Sequence, residues 1–173
     1  VLTLSKLEEG KLLLEKTEVE LRPIIEDLIE KFTAKAEKQV EFALDLQEEK
    51  AYADEEFLKE ALSNLIDNAI KYSGESVQIK ISSSASTDGY THISVTDNGM
   101  GIPLKEQGKI FEKFERASAV IRNRKEGASG FGLGLNYVLH VVEAHHGSVK
   151  LESIEGEYSK FTINIPQHNG ETA

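Results

Sequence analysis

Asn64 and Asn68 stand four residues apart in Glu60–Ser73, EALSNLIDNAIKYS, a stretch that otherwise reads as a strong amphipathic helix. Asparagine is unfavourable inside helices because its amide competes for local backbone groups, so placing it twice at i, i+4 wants a reason. On a helix, Glu60, Asn64, Asn68 and Lys71 fall along one narrow stripe. Leu58, Ala61, Leu62, Leu65 and Ala69 form an apolar stripe about a third of a turn away, the side that would meet a core. Amide oxygens are hard ligands suited to Mg²⁺. The Lys71 ammonium could meet phosphate, and the Tyr72 phenol could pack against a ring. Such a stripe beside an apolar face has the makings of a pocket wall. It also has the makings of a solvated helix surface, and this stretch alone does not separate the two.

Three further stretches could carry chemistry. Asp97 falls where an alternating run ends, in DNGMGIP, and Gly99 and Gly101 would let the backbone approach a ligand closely. A carboxylate there can accept a hydrogen bond from an exocyclic amine such as the 6-amino group of adenine. The 6-oxo group of guanine would oppose it acceptor to acceptor. A plain Asp-Asn-Gly turn fits the same residues. Gly130, Gly132 and Gly134 feed the start of a helix, where free N–H groups and the positive dipole end suit phosphate. No Lys-Ser/Thr follows them and no βαβ unit surrounds them, so this is neither a Walker loop nor a dinucleotide fingerprint. Arg116, Arg122, Arg124 and Lys125, with Gly108 and Gly127 as hinges, read as a mobile lid with phosphate contacts or as a solvated charged loop. The five histidines show no ligand spacing with carboxylates. His145-His146 before Gly147 reads as a helix end where cations suit the dipole.

The 173 residues suffice for one ordinary domain with a core and an appendage. A formal net charge of −10 argues against sequence-independent binding to nucleic acid. The absence of cysteine excludes disulfides and thiolate metal sites and fits a reducing compartment. No apolar run has the length of a membrane span, and no signal peptide opens the chain. Its abrupt start, VLTLSKLEEGK, suggests a piece of something longer.

The elements that would position these residues follow from periodicity. Val1–Glu9 reads as the last turns of a helix stopped by Gly10, and Leu12–Val19 as an extended arm. Leu21, Ile24, Ile25, Leu28, Ile29, Phe32 and Ala36 give a helix, with Pro23 in its first turn and Lys35 and Lys38 near its end. Val40, Phe42, Leu44 and Leu46 alternate as a strand, and a brief Ala51–Ala53 strand leads to Asp54, an N-cap for the asparagine helix. Val77/Ile79/Ile81 and Ile93/Val95 form two strands joined by a turn at Asp88-Gly89. A polar segment runs from about Phe114 to Ser129. The glycine run then opens a helix with Leu135, Val138, Leu139 and Val142, and strands at Val149/Leu151 and Phe161/Ile163/Ile165 follow, joined near Glu155-Gly156. Pro166–Ala173 reads as a polar tail. The class is α+β, with helices on one sheet face and water on the other.

Taken in order, ExxxNxxxNAxKYS, DNGMGIP, IFEKFER and GFGLGL resemble the N box, first glycine box, F box and second glycine box of sensor histidine kinases. This is the catalytic domain of the gyrase, heat-shock chaperone, histidine kinase and mismatch-repair ATPase superfamily. The resemblance covers roughly Thr17 to Pro166. It implies a two-layer α/β sandwich of the Bergerat type, a mixed, mostly antiparallel sheet covered on one face by three helices. The opening LSKLEEGKLLL resembles the end of the dimerisation and phosphotransfer helix. The implied organisation is residues 1–10 from that helix, 11–166 the ATP-binding domain and 167–173 the tail.

By the same resemblance Asn68 coordinates Mg²⁺ with Asn64 assisting, Lys71 and Tyr72 lie near phosphate and adenine, and Asp97 reads adenine. Gly99, Gly101, Gly130, Gly132, Leu133 and Gly134 bind nucleotide, while Arg116 and Lys71 act on the γ-phosphate during transfer. Asn64 stands where the superfamily's hydrolases carry a water-activating glutamate. An amide cannot act as a base, so transfer to a protein group is favoured over hydrolysis. No histidine here is followed by the acidic residue that marks a phosphoacceptor, which places the acceptor outside this chain. The partners implied are ATP, the phosphotransfer domain of the same parent and a response regulator receiver domain, in a cytoplasmic segment with no membrane contact of its own. The parent itself could be anchored in the inner membrane. A serine kinase of the superfamily is the rival enzyme, against which the LSKLEEGK opening argues. A degenerate nucleotide-binding scaffold is the rival of another class, against which four intact boxes argue.

Overall fold

Alternation of apolar and polar residues builds the sheet, and the computed structural model, which describes residues 13–108, 110 and 131–167 (backbone alone for 131–133), shows how its faces differ. In chain order the elements are β1 (Thr17–Glu20), α1 (Leu21–Lys35), β2 (Gln39–Leu46), β3 (Lys50–Ala53), α2 (Glu55–Lys71), β4 (Ser76–Ala85), β5 (Tyr90–Asp97), α3 (Phe131–Ala144), β6 (Ser148–Ile154) and β7 (Tyr158–Pro166). Five strands form one sheet in the order β2-β4-β5-β7-β6, and β1 pairs with β3 in a separate ribbon. β2 and β4 are parallel, which the β3–α2 crossover between them permits. The other neighbours in the main sheet are antiparallel.

Register sorts the side chains by face. Ile79 lies opposite Asp97, Ile81 opposite Val95, and Val95 opposite Phe161, so one apolar face runs across the central strands and is buried. The reverse face is polar, with Ser94 Oγ and Thr162 Oγ1 2.8 Å apart across β5–β7. The helices cover the apolar face. α1 contributes Leu21, Ile24, Ile25, Leu28 and Phe32, and α2 the expected stripe Leu58, Ala61, Leu62, Leu65 and Ala69, none above 4% exposed. α3 adds Leu135, Val138, Val141 and Val142. Each such fully buried large aliphatic side chain favours the fold by roughly 1.5–3 kcal/mol before entropy is counted. Among the described residues no helix is long and apolar enough to cross a membrane.

Four details differ from the sequence expectation. Lys38 lies beyond α1; its ammonium donates to the Ile70 carbonyl and, at 3.2 Å, to the Ser73 carbonyl, so it serves the C-terminal end of α2 instead. α3 begins at Phe131, which puts Gly132 and Gly134 inside its first turn rather than ahead of it. Pro166 belongs to β7, and the Gln167 N–H still donates to the Gly89 carbonyl at 2.8 Å, so a tail starts later. The arm reaches pairing earlier than its apolar content suggests, because Thr17–Glu20 hydrogen-bonds with β3. The segment expected as a helix before Gly10, the lid with Arg116, Gly130 and the last six residues lie outside the described residues.

Candidate functional site

The C-terminal half of α2, the end of β5 and the start of β7 enclose a cavity of about 180 Å³. Its walls are apolar: Leu65 and Ala69 from α2, Val95 and Phe161 from the sheet, Ile102 and Ile110 from the segment after β5. Its polar groups are few, Asn68, Asp97, Ser159 and Glu106, and Tyr72 and the half-exposed Met100 also line it. A slot of this kind suits a flat ring that brings one hydrogen-bonding edge.

Asp97 is 9% exposed, and burial pushes its carboxyl above the usual range, an effect opposed by the N–H of Gly99, which donates to Asp97 Oδ1 at 2.8 Å. Gly99 has no room for a side chain, since a Cβ would stand 2.9 Å from that carboxylate oxygen and from the Tyr72 carbonyl. Gly101 is constrained twice over. Its φ is +70°, and a Cβ would lie 2.1 Å from the Ile154 carbonyl of the β6–β7 hairpin. The glycines of DNGMGIP therefore press the loop between α2 and the hairpin, so that Ile102 can close the slot over Asp97.

The two asparagines differ in their surroundings. Asn68 is 6% exposed, and its Nδ2 is buried with no partner. Asn64 is partly exposed; its Nδ2 donates to the Glu60 carbonyl at 3.1 Å, leaving Oδ1 towards Gly134, where a built Cβ would be 3.4 Å away. α3 thus runs antiparallel to α2, with Gly134 beside Asn64 at one end and His145 beside Asp54 at the other. Lys71 is exposed and ion-paired with Asp67 at 3.0 Å, and it does not line the cavity. Among the described residues no group of three or more His, Cys, Asp and Glu could hold a metal ion.

Residues 53–169 match the family described as histidine kinase-, DNA gyrase B-, and HSP90-like ATPase. The chain belongs to this ATPase family. The adaptive-response sensory kinase SasA of Crocosphaera subtropica is 33% identical over 169 residues, covering 96% of this chain and 43% of that protein. The chain thus spans less than half the length of the curated relatives it matches. The catalytic domain of the histidine kinase ThkA superposes with a TM-score of 0.72 at 26% identity, covering 90% of this chain and 98% of that one. ThkA in complex with the response regulator protein TrrA superposes with a TM-score of 0.73 at 28% identity, covering 97% and 47%. The expected two-layer α/β sandwich is therefore present, and this ATPase-family chain is an ATP-binding catalytic domain of the sensor histidine kinase type.

Within the domain, the structure brings Asn68, Tyr72, Asp97 and Gly101 to one cavity, with Gly99 on Asp97, and Asn64 one turn earlier on α2 beside Gly134 of α3. Lys71 stands apart from them. Gly132 and Leu133 lie on the first turn of α3, and Arg116 and Gly130 fall outside the described residues. Sequence reasoning missed Ile102, Ile110, Ser159 and Phe161 as cavity walls. Phe161 had a signal, since it alternates with Ile163 and Ile165, whereas Ser159 shares a face with Asp97 only through the β5–β7 register. His145 corrects the expectation of a helix-end cation. It is 1% exposed, burial pushes its pKa down, and its Nε2 accepts from the Asp54 N–H at 3.1 Å while Nδ1 faces the Val141 carbonyl at 2.8 Å.

Proposed function

We propose that the domain holds ATP with adenine in the apolar slot and its 6-amino group on Asp97, and that the γ-phosphoryl goes to a histidine of a separate phosphotransfer domain. The supporting observation is a buried carboxylate in a cavity whose walls are mainly apolar. One of its oxygens is held by Gly99, which fixes the carboxylate plane and leaves acceptor capacity facing the slot. The orphaned amide of Asn68 supports a ligand at the next position along α2, since a buried polar group without a partner is costly in the empty state.

A Mg²⁺ ion fits this donor set, because amide oxygens of Asn68 and Asn64, phosphate oxygens and water are hard ligands. Bound there, it would neutralise phosphate charge. The chain's own groups orient the substrate and keep water unactivated. Asn64 offers an amide where hydrolysis would need a base, so attack by a partner's imidazole is favoured over attack by water. In that step a P–N bond forms to the imidazole as the bond from Pγ to the β-phosphate bridging oxygen breaks, and ADP leaves. Arg116 and Lys71 are the cations proposed to offset the developing charge, Lys71 after exchanging Asp67 for phosphate. The phosphorylated histidine would then serve a response regulator receiver domain.

Calorimetric titration of the chain should give binding of ATP with Mg²⁺ and much weaker binding of GTP. Mixed with the phosphotransfer domain of its parent, the ATP-loaded chain should place an acid-labile, base-stable label on that domain and none on its own histidines. Equal affinity for both nucleotides, or an acid-stable label, would overturn this function.

A further inference from the structure

Ser153, near the end of β6, has three polar neighbours. Its Oγ accepts from the Ile102 N–H at 2.7 Å, lies 2.7 Å from the Tyr158 carbonyl oxygen and lies 3.0 Å from Ser159 Oγ. A hydroxyl owns one hydrogen. The Tyr158 carbonyl can only accept, so the Ser153 hydrogen is committed to it. The Ile102 N–H takes one Ser153 lone pair. The contact between the two serines therefore runs one way, with Ser159 donating to Ser153. Ser159 lines the cavity and Ser153 does not. The one hydrogen of Ser159 is thus spent outside the cavity, and Ser159 presents only lone pairs to whatever lies inside. Ser159 is also the register partner of Asp97 across β5–β7.

We infer that Ser153 determines base specificity: by fixing the direction of the Ser159 proton it makes the strand edge of the slot acceptor-only, Asp97 on one strand and Ser159 on the next, while the Asn68 N–H stands on the α2 wall. Such an edge receives the two N–H bonds of an exocyclic amine and opposes a 6-oxo group at both positions. Ser159 without this constraint would turn its proton inward and serve a carbonyl equally well, because a hydroxyl rotates to suit its partner. This inference rests on the adenine reading given above.

The test compares ATP with ITP, which carries a 6-oxo group where ATP carries the amine, by calorimetry on the full chain. Wild type should prefer ATP. Ser153→Ala should narrow the ATP:ITP affinity ratio about tenfold, by freeing Ser159 to donate, and Ser153→Thr, which keeps the hydroxyl, should restore it. Gln107 holds the same loop, with Nε2 2.9 Å from the Ile102 and Ser153 carbonyls. Gln107→Ala loosens that loop without touching the hydroxyl chain, and should weaken both nucleotides alike. If Ser153→Ala does not fold, Ser159→Ala removes the acceptor itself and should narrow the ratio as well. A ratio unchanged in the Ser153→Ala and Ser159→Ala proteins, with wild type still preferring ATP, overturns the inference alone. A wild type that binds both equally overturns the adenine reading and the inference with it.

Discussion

At the first turn of α2 the polar groups of Asp54 have partners. Its Oδ1 accepts from the Phe57 N–H at 3.2 Å, its Oδ2 accepts from the Glu15 N–H at 2.8 Å, and its own N–H donates to His145 Nε2 at 3.1 Å. Four turns on, Asn68 Nδ2 has none, and Asp97 keeps a carboxylate half-served in an apolar slot. The two ends belong to one helix and share one core. Their difference separates stability from function. A saturated cap contributes to folding, typically about 1 kcal/mol. An unsaturated buried amide or carboxylate costs folding free energy and is recovered only when a ligand supplies the missing partner.

The largest effect should come from the unsaturated end. Asp97→Asn keeps the volume but removes the charge, and ATP affinity should fall by about 1.5–3 kcal/mol, the range for a hydrogen bond to a charged group. Stability should move the other way. Burial raises the Asp97 pKa in the folded state above its unfolded value. Its contribution to stability is then present at low pH and lost as pH rises through the folded pKa, and above that pKa the ionised carboxylate is a burden. The nucleotide-free variant should melt at the same temperature as wild type or higher. Calorimetric titration and thermal unfolding on the same samples check both halves. A variant that loses affinity and stability together would erase the contrast between the two ends.

The saturated end should give the reverse pattern with a smaller magnitude. Asp54→Ala removes the acceptor for Phe57 and for Glu15, and should cost about 0.5–2 kcal/mol in chemical denaturation. ATP affinity of the folded fraction should stay within about a factor of two, since no group of the slot is altered. A large affinity loss with normal stability would mean that the arm bearing Glu15 and the cavity are coupled along α2.

Much of this arrangement was legible in the sequence, and what was not has a common cause. The apolar stripe of α2, its Asp54 cap and the strand-end position of Asp97 are local patterns, set by residues within a turn or two of each other. Lys38 and His145 were placed correctly in the chain and given the wrong partners. Lys38 serves residues more than thirty positions away, and His145 meets Asp54 across 91 positions. No spacing rule carries such contacts. A mixed sheet was expected, but which strands pair in parallel was not, because alternation assigns a strand without choosing its neighbour. Ser159 was hidden differently. Serine in an alternating strand is ordinary, and only the register that sets it beside Asp97 gives it a role.

The smallest effect sharpens the comparison most, because it titrates the saturated end without removing an atom. His145 accepts from the Asp54 N–H through Nε2, so a proton there would turn the acceptor into a donor facing a donor. Burial is the main cause of its lowered pKa. Lys16 and His146 also oppose protonation, while the Val141 carbonyl and Asp54 favour it. With the folded pKa below the unfolded one, the unfolded chain binds the proton first. The stability from this contact is therefore complete above the unfolded value of about 6.5 and is lost as pH falls towards the folded value. His145→Gln keeps an acceptor within reach of the Asp54 N–H and does not titrate. Between about pH 8 and pH 5.5 the wild-type melting temperature should fall more than that of the variant, with the two curves separating below about pH 6.5. The separation should shrink but persist in the Asp54→Pro protein, which has no N–H to donate yet leaves His145 buried; Lys16→Ala should also reduce the separation without abolishing it. Parallel curves for wild type and His145→Gln would show that the folded and unfolded chains bind the His145 proton equally, so that its contact with Asp54 adds no stability and the cap rests on Phe57 and Glu15 alone.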